Sequence, residues 1–203
     1  MEKLERIFLG LIIGAVMPIL LGLISFMVWF FTGQNPDTPL IYLVSGVLAG
    51  LILDLIFLKR WIDNRYAMPL WVVISIYVFY NIVLFGMFMG LPVLNVLLGL
   101  PAGFYMGNRV VFNSVPVNQY QAITKHVSLF TGFMMLLICT ASAIIGLREE
   151  GIGQTIQSML GVSFEITKPM VWGIVLIGGT LLVLCKVTLT GITMKRTIKA
   201  SVV

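Results

Sequence analysis

The sequence predicts an all-α, polytopic integral membrane protein. Three observations carry that prediction: six long apolar stretches, a scarcity of charge, and a one-sided placement of the charges that remain. The stretches lie at roughly 6–31, 39–58, 67–88, 91–107, 125–147 and 169–194. Each is near the length that crosses a ~30 Å hydrocarbon layer at ~1.5 Å per residue. Of the 203 residues, 59% are hydrophobic and 10% charged, with a mean hydropathy of +1.05, whereas a soluble domain carries about 25% charged residues. The longest connections, 108–124 and 148–168, are too short to build cores of their own. The expected organisation is therefore a single six-helix transmembrane domain over 1–203.

The first stretch exceeds the ~7–15 apolar residues of a signal-peptide core and no A-x-A cleavage site follows it, so it is expected to persist as the first span. Gly10, Gly14, Pro18 and Gly22 recur every four residues along it and form one stripe. In lipid no hydrophobic force draws helices together, so close backbone approach through small residues is a main source of association. The stripe is expected to pack within the chain or to dock another membrane subunit. The second stretch carries the pair Gly46 and Gly50 and, toward its end, Asp54. The third carries Tyr80 and Asn81 and runs through Gly86 into a tight outer hairpin at Met89–Gly90–Leu91–Pro92.

The fourth stretch is short and interrupted by Pro101, because proline removes a backbone donor and clashes with the preceding turn. It carries Asn95 and a second glycine stripe, Gly99, Gly103 and Gly107. Broken spans of this kind line cavities in transporters, where freed backbone groups cannot face lipid. The fifth stretch holds Cys139, Thr140 and Ser142, and the sixth holds Lys186. Between these two, Ile152, Ile156, Met159 and Leu160 fall on one face of a short amphipathic helix expected at the outer interface.

The charges predict orientation. Ten of the 13 Lys and Arg residues fall on one side of an alternating six-span topology: Lys3, Arg6, Lys59, Arg60, Arg65, Arg109, Lys125, Lys195, Arg196 and Lys199. The positive-inside rule then places both termini in the cytoplasm, and the simplest location is a plasma membrane. A net charge of +5 needs no nucleic-acid partner, since juxtamembrane cations face an anionic leaflet.

Polar residues inside a membrane are costly unless partnered and point to function. Two sets stand out. Asp54 and Lys186 fall at similar depth on the inner side, where they form an ion pair, reach water at the interface or serve a proton or ion relay. Asn81, Asn95, Tyr80, Thr140 and Ser142 fall in the outer half. They either line an outward-facing site for a small neutral or weakly charged solute or bond helices together. No H-E-x-x-H, G-x-S-x-G or G-x-x-x-x-G-K occurs. The expectation is a non-enzyme without cofactor or metal.

In topology the chain resembles the substrate-binding S-components of energy-coupling-factor transporters, which are compact six-helix proteins of about this size with cytoplasmic termini. The Gly10–Gly14–Ala15 surface and the outer polar set carry the resemblance. It implies a first helix that docks a partner and a vitamin-class solute bound from outside, with any ATP-driven step left to partner subunits. The expected function is thus a solute-binding transport component. The competing expectation is a scaffold or accessory subunit that packs against partners through its glycine stripes.

Overall fold

A computed structural model describes residues 2–32, 38–88, 90–148, 151, 153, 157, 161 and 167–202. The described residues are helical, without strands. The helices are α1 (Glu2–Gly14), α2 (Val16–Thr32), α3 (Pro39–Asp63), α4 (Leu70–Met87), α5 (Gly99–Phe112), α6 (Tyr120–Arg148) and α7 (Lys168–Val202), with 3-10 turns at Val93–Leu98 and Val117–Gln119. Among the described residues five helical segments are long and apolar enough to cross a membrane: Glu5–Thr32, Pro39–Asp63, Leu70–Met87, Val117–Arg148 and Pro169–Ser201. Helices satisfy their backbone groups internally, as a segment in lipid must. Large apolar side chains face outward along them, Leu55 at 85% exposure and Phe31 at 79%. Lipid is the solvent that makes such a surface inexpensive, and the chain has the build of a multi-pass membrane protein.

The fourth apolar stretch is the one of the six expected spans that is not among these five segments. It divides into the 3-10 turn Val93–Leu98 and the 14-residue α5, together about 33 Å long at ~2.0 and ~1.5 Å per residue. The division precedes Pro101 by two residues and so places the proline in the first turn of α5, where its missing N–H would have lacked a partner anyway. Pro18 acts in the same way on the first stretch. A proline ring clashes with the carbonyl four residues earlier, and the helix is interrupted at Ala15, between Gly14 and Val16. The residues of the expected amphipathic helix, Ile152, Ile156, Met159 and Leu160, lie outside the described residues, as does Met89 of the outer hairpin. In that hairpin Gly90 adopts φ +80, a left-handed conformation that favours glycine.

The chain forms two compact units, Met1–Ile76 and Tyr77–Val203, whose boundary falls within α4. In the first unit α3 runs antiparallel to α1 and α2, and its stripe Gly46, Gly50, Asp54, Leu58 and Ile62 tracks along them. Gly46 lies against Leu21 and Ser25, Gly50 against Met17 and Pro18, Leu58 against Gly14, and Ile62 against Gly10. A Cβ on Gly50 would stand 2.6 Å from Pro18 N, so here the two backbones touch. One end is fastened by charge. Arg6 pairs with Asp63, and the Glu5 carboxylate accepts from Arg65 Nη2 at 3.0 Å and from the Tyr66 hydroxyl at 2.6 Å.

In the second unit α5 runs parallel to α7, with Gly99 against Lys186 and Thr190, Gly103 against Thr190 and Thr193, and Gly107 against Met194 and Thr197. Helix α6 runs antiparallel to α7: Gly132 meets Val187, and Ser128 meets Gly191. Val110, Met194 and Ile198 form an apolar core at one end, covered by Met106, Tyr120 and Ile123. Cys139 and Cys185 are free thiols.

Candidate functional site

The most demanding feature of the second unit is Lys186. It sits at the middle of α7, a 35-residue helix, and is 0% exposed. An ammonium in a lipid-surrounded interior is costly without partners. Its Nζ donates to Asn81 Oδ1 at 2.8 Å and stands 5.3 Å from the centre of the Tyr77 ring, close enough for a cation–π attraction. A lysine has three N–H donors, and this hydrogen bond occupies one of them.

Asn81 is the hub. Its Oδ1 accepts from Lys186, its Nδ2 donates to the Tyr77 carbonyl at 2.8 Å, and its own carbonyl accepts from Asn95 Nδ2 at 2.8 Å. Asn95 comes from the 3-10 turn, whose tighter winding starts at Pro92; the Asn95 N–H donates to the Pro92 carbonyl at 3.1 Å. Asn81 and Asn95 are both 0% exposed. Below them the Thr131 hydroxyl donates to Thr190 Oγ1 at 3.1 Å, and Thr190 donates to the Lys186 carbonyl at 2.8 Å. Helices α4, α6 and α7 and the 3-10 turn thus contribute to one buried polar network.

The network is incompletely satisfied. Asn95 Oδ1, the Tyr77 hydroxyl and Ser128 Oγ are buried without a hydrogen-bond partner among the described residues. Buried polar groups are nearly always paired, so these atoms and the spare lysine donors are hydrogen-bonding capacity that the described residues leave unused. The spare N–H groups suit an acceptor such as a carboxylate or carbonyl oxygen, and Asn95 Oδ1 suits a donor. Among the described residues no group of three or more His, Cys, Asp or Glu is placed to hold a metal ion.

The sequence-predicted residues divide. Asn81 and Asn95 come together. Tyr80, on the same helix, is half-buried and packs edge-on against Phe79 at 5.7 Å. Thr140 is exposed and turned back on its own helix, donating to the Leu136 carbonyl at 2.8 Å; Ser142 is half-buried. Lys186 joins the asparagines, a grouping the depth estimate missed because α7 extends to Val202, beyond the expected end at 194. Asp54 belongs to the first unit and is 5% exposed beside Gly14. Among the described residues it has no ion-pair partner within that unit, and Lys186 has none within its own. Tyr77, Thr131 and Thr190 were not anticipated; for Tyr77 and Thr190 their i, i+4 relation to Asn81 and Lys186 was the available signal, and for Thr131 the sequence carried none.

The glycine stripes are occupied inside the units. Gly10, Gly14 and Gly22 meet α3, and Gly99, Gly103 and Gly107 meet α7. The chain matches no family model, no curated protein and no solved structure. The likeness to S-components is therefore one of expected topology, and function is argued from the residues.

Proposed function

We propose that the chain is a membrane transport component whose buried network at Lys186, Asn81, Asn95 and Tyr77 binds a small, neutral or weakly charged solute. One observation carries this reading: among the described residues a wholly buried lysine holds a single side-chain hydrogen bond, to a neutral amide, in a unit whose interior also holds acceptors without a donor. An arrangement that stabilised only the fold would match these groups to one another. The lysine narrows the solute class toward molecules with an acceptor oxygen, such as a weak acid or an amide.

In this reading the chain crosses a plasma membrane six times with both termini in the cytoplasm. The 3-10 turn and α5 together are long enough for the sixth crossing, and the parallel course of α5 and α7 with α6 antiparallel fits the alternation such a topology requires. Single cysteines placed at Asn113 and at Ser201 in a cysteine-free background should react only with reagents that reach the cytoplasmic face.

The complete burial of Asn81 and Asn95 favours a second reading, a non-transporting scaffold or accessory subunit. Its docking surface would lie elsewhere than the occupied stripes. Native mass spectrometry of the protein extracted with its own lipids separates the two. Transport expects a co-purifying small molecule that Asn95→Ala loses. A bare chain, or one holding only partner subunits, would favour the scaffold.

A further inference from the structure

A second intramembrane group, remote in sequence from the Lys186 network, is used by nothing described so far. Asp54 lies on the α3 stripe and is 5% exposed. Its Oδ2 is 3.7 Å from where a Cβ on Gly14 would stand, and its Oδ1 has no hydrogen-bond partner among the described residues. Gly14 is the last residue of α1, at the interruption before α2. Residue 18 is proline and has no N–H, so the Gly14 carbonyl loses its i+4 helical donor. A buried carboxyl thus lies beside Gly14 at the helix interruption, with one oxygen, Oδ1, unmatched among the described residues. A buried carboxylate without a paired charge is costly, whereas a proton neutralises it and supplies a donor.

We propose that Asp54 is an exchangeable proton-binding site, a carboxyl held neutral where α3 packs on the α1–α2 interruption. The proton suits the surroundings better than a metal ion does. The adjoining side chain at Gly14 is that of Leu58, and an oxygen-coordinated cation needs several further ligands. Among the described residues no charged group within the unit is placed to substitute for the proton. Helix α2 contains no titratable residue. On α1, Glu5 and Arg6 lie eight or nine residues away, about 12 Å along the axis, and are engaged by Arg65, Tyr66 and Asp63. On α3, Lys59 and Arg60 are exposed, Asp63 pairs with Arg6, and Tyr42 lies three turns distant. The site stands whether or not the chain carries a solute.

Dicyclohexylcarbodiimide tests it on the full chain in lipid nanodiscs. The reagent partitions into the membrane interior and consumes a protonated carboxyl. The carboxyl O–H adds across a C=N bond, its proton goes to nitrogen, and the acyl group then shifts from oxygen to nitrogen, leaving a stable N-acylurea without any redox change. One adduct per chain is expected at neutral pH, mapped to Asp54 and absent from Asp54→Asn. Its rate should fall about tenfold per pH unit once the group titrates. Infrared difference spectra of wild type against Asp54→Asn should show a protonated carboxyl C=O band that shifts in D2O. Because an amide mimics the neutral acid, Asp54→Asn should melt with the wild type. Absence of both the adduct and the band would overturn the proposal. Protection by Na+ that choline does not reproduce would also overturn it, assigning the site to a metal cation.

Discussion

The two units solve the same packing problem with different materials. Both bring helices together along glycine stripes. In the first, the glycines meet mainly backbone and aliphatic carbon, at Pro18, Leu21, Leu58 and Ile62, with Ser25 at Gly46 the hydroxyl among them; in the second, Gly99, Gly103 and Gly107 meet Thr190, Thr193 and Thr197. The first unit keeps its ion pairs at one end, with Arg6 on Asp63 and Arg65 on Glu5, and leaves a lone carboxyl, Asp54, within the helix contact. The second carries its polar atoms through its interior from Thr131 to Asn95. The difference teaches that small residues decide where helices in lipid meet, while the polar side chains at the meeting decide what the contact is able to do.

The sharpest way to break the comparison is to put a methyl group into the backbone contact of the first unit. Gly50→Ala would press on Pro18 and Met17 and should cost about 3 kcal/mol, the upper part of the usual overpacking range, read by unfolding in bicelles. Next is the hub of the second unit. Asn81→Ala removes the acceptor of Lys186 and should cost about 2–3 kcal/mol, against about 1 kcal/mol for Asn95→Ala, which removes one donor. Equal losses would mean that the network has no hub.

A smaller effect is expected from pH. Burial, and then donation to Glu5, hold the Tyr66 phenol above its ordinary range. A group that binds its proton more tightly when folded stabilises fully below its unfolded value, near pH 10, and loses that stabilisation as pH rises through the folded value. The melting temperature should therefore fall above about pH 10, and Tyr66→Phe should flatten that part of the profile. The smallest effect is expected at Gly86, where an added Cβ meets nothing. Gly86→Ala should change stability by less than about 0.5 kcal/mol.

The helical class was legible because hydropathy alone reports it, and the interruptions at Ala15 and Leu98–Gly99 were foreshadowed by Pro18 and Pro101. The division of the fourth stretch into a 3-10 turn and an α-helix was not, because no residue type marks that change of winding. Asn81 and Asn95 could be matched by depth along their spans. Lys186 could not be grouped with them, since its depth depended on where α7 ends. Thr140 was misleading for a local reason: a threonine in a helix readily bonds its own i−4 carbonyl, and its sequence position does not tell which way it turns. That the glycine stripes pack inward followed from spacing only as one of two alternatives.

The central claim is that Lys186 is retained for what it binds rather than for the fold. A residue kept for function at a cost in stability can be replaced without loss of folding. The deciding measurement is the melting of Lys186→Met against wild type in nanodiscs of native lipid, with the bound small molecules of each identified by mass spectrometry. The expected result is a variant that melts at or above the wild-type temperature and carries no solute. A variant that melts well below the wild type, or one that keeps the same bound molecule, would contradict it.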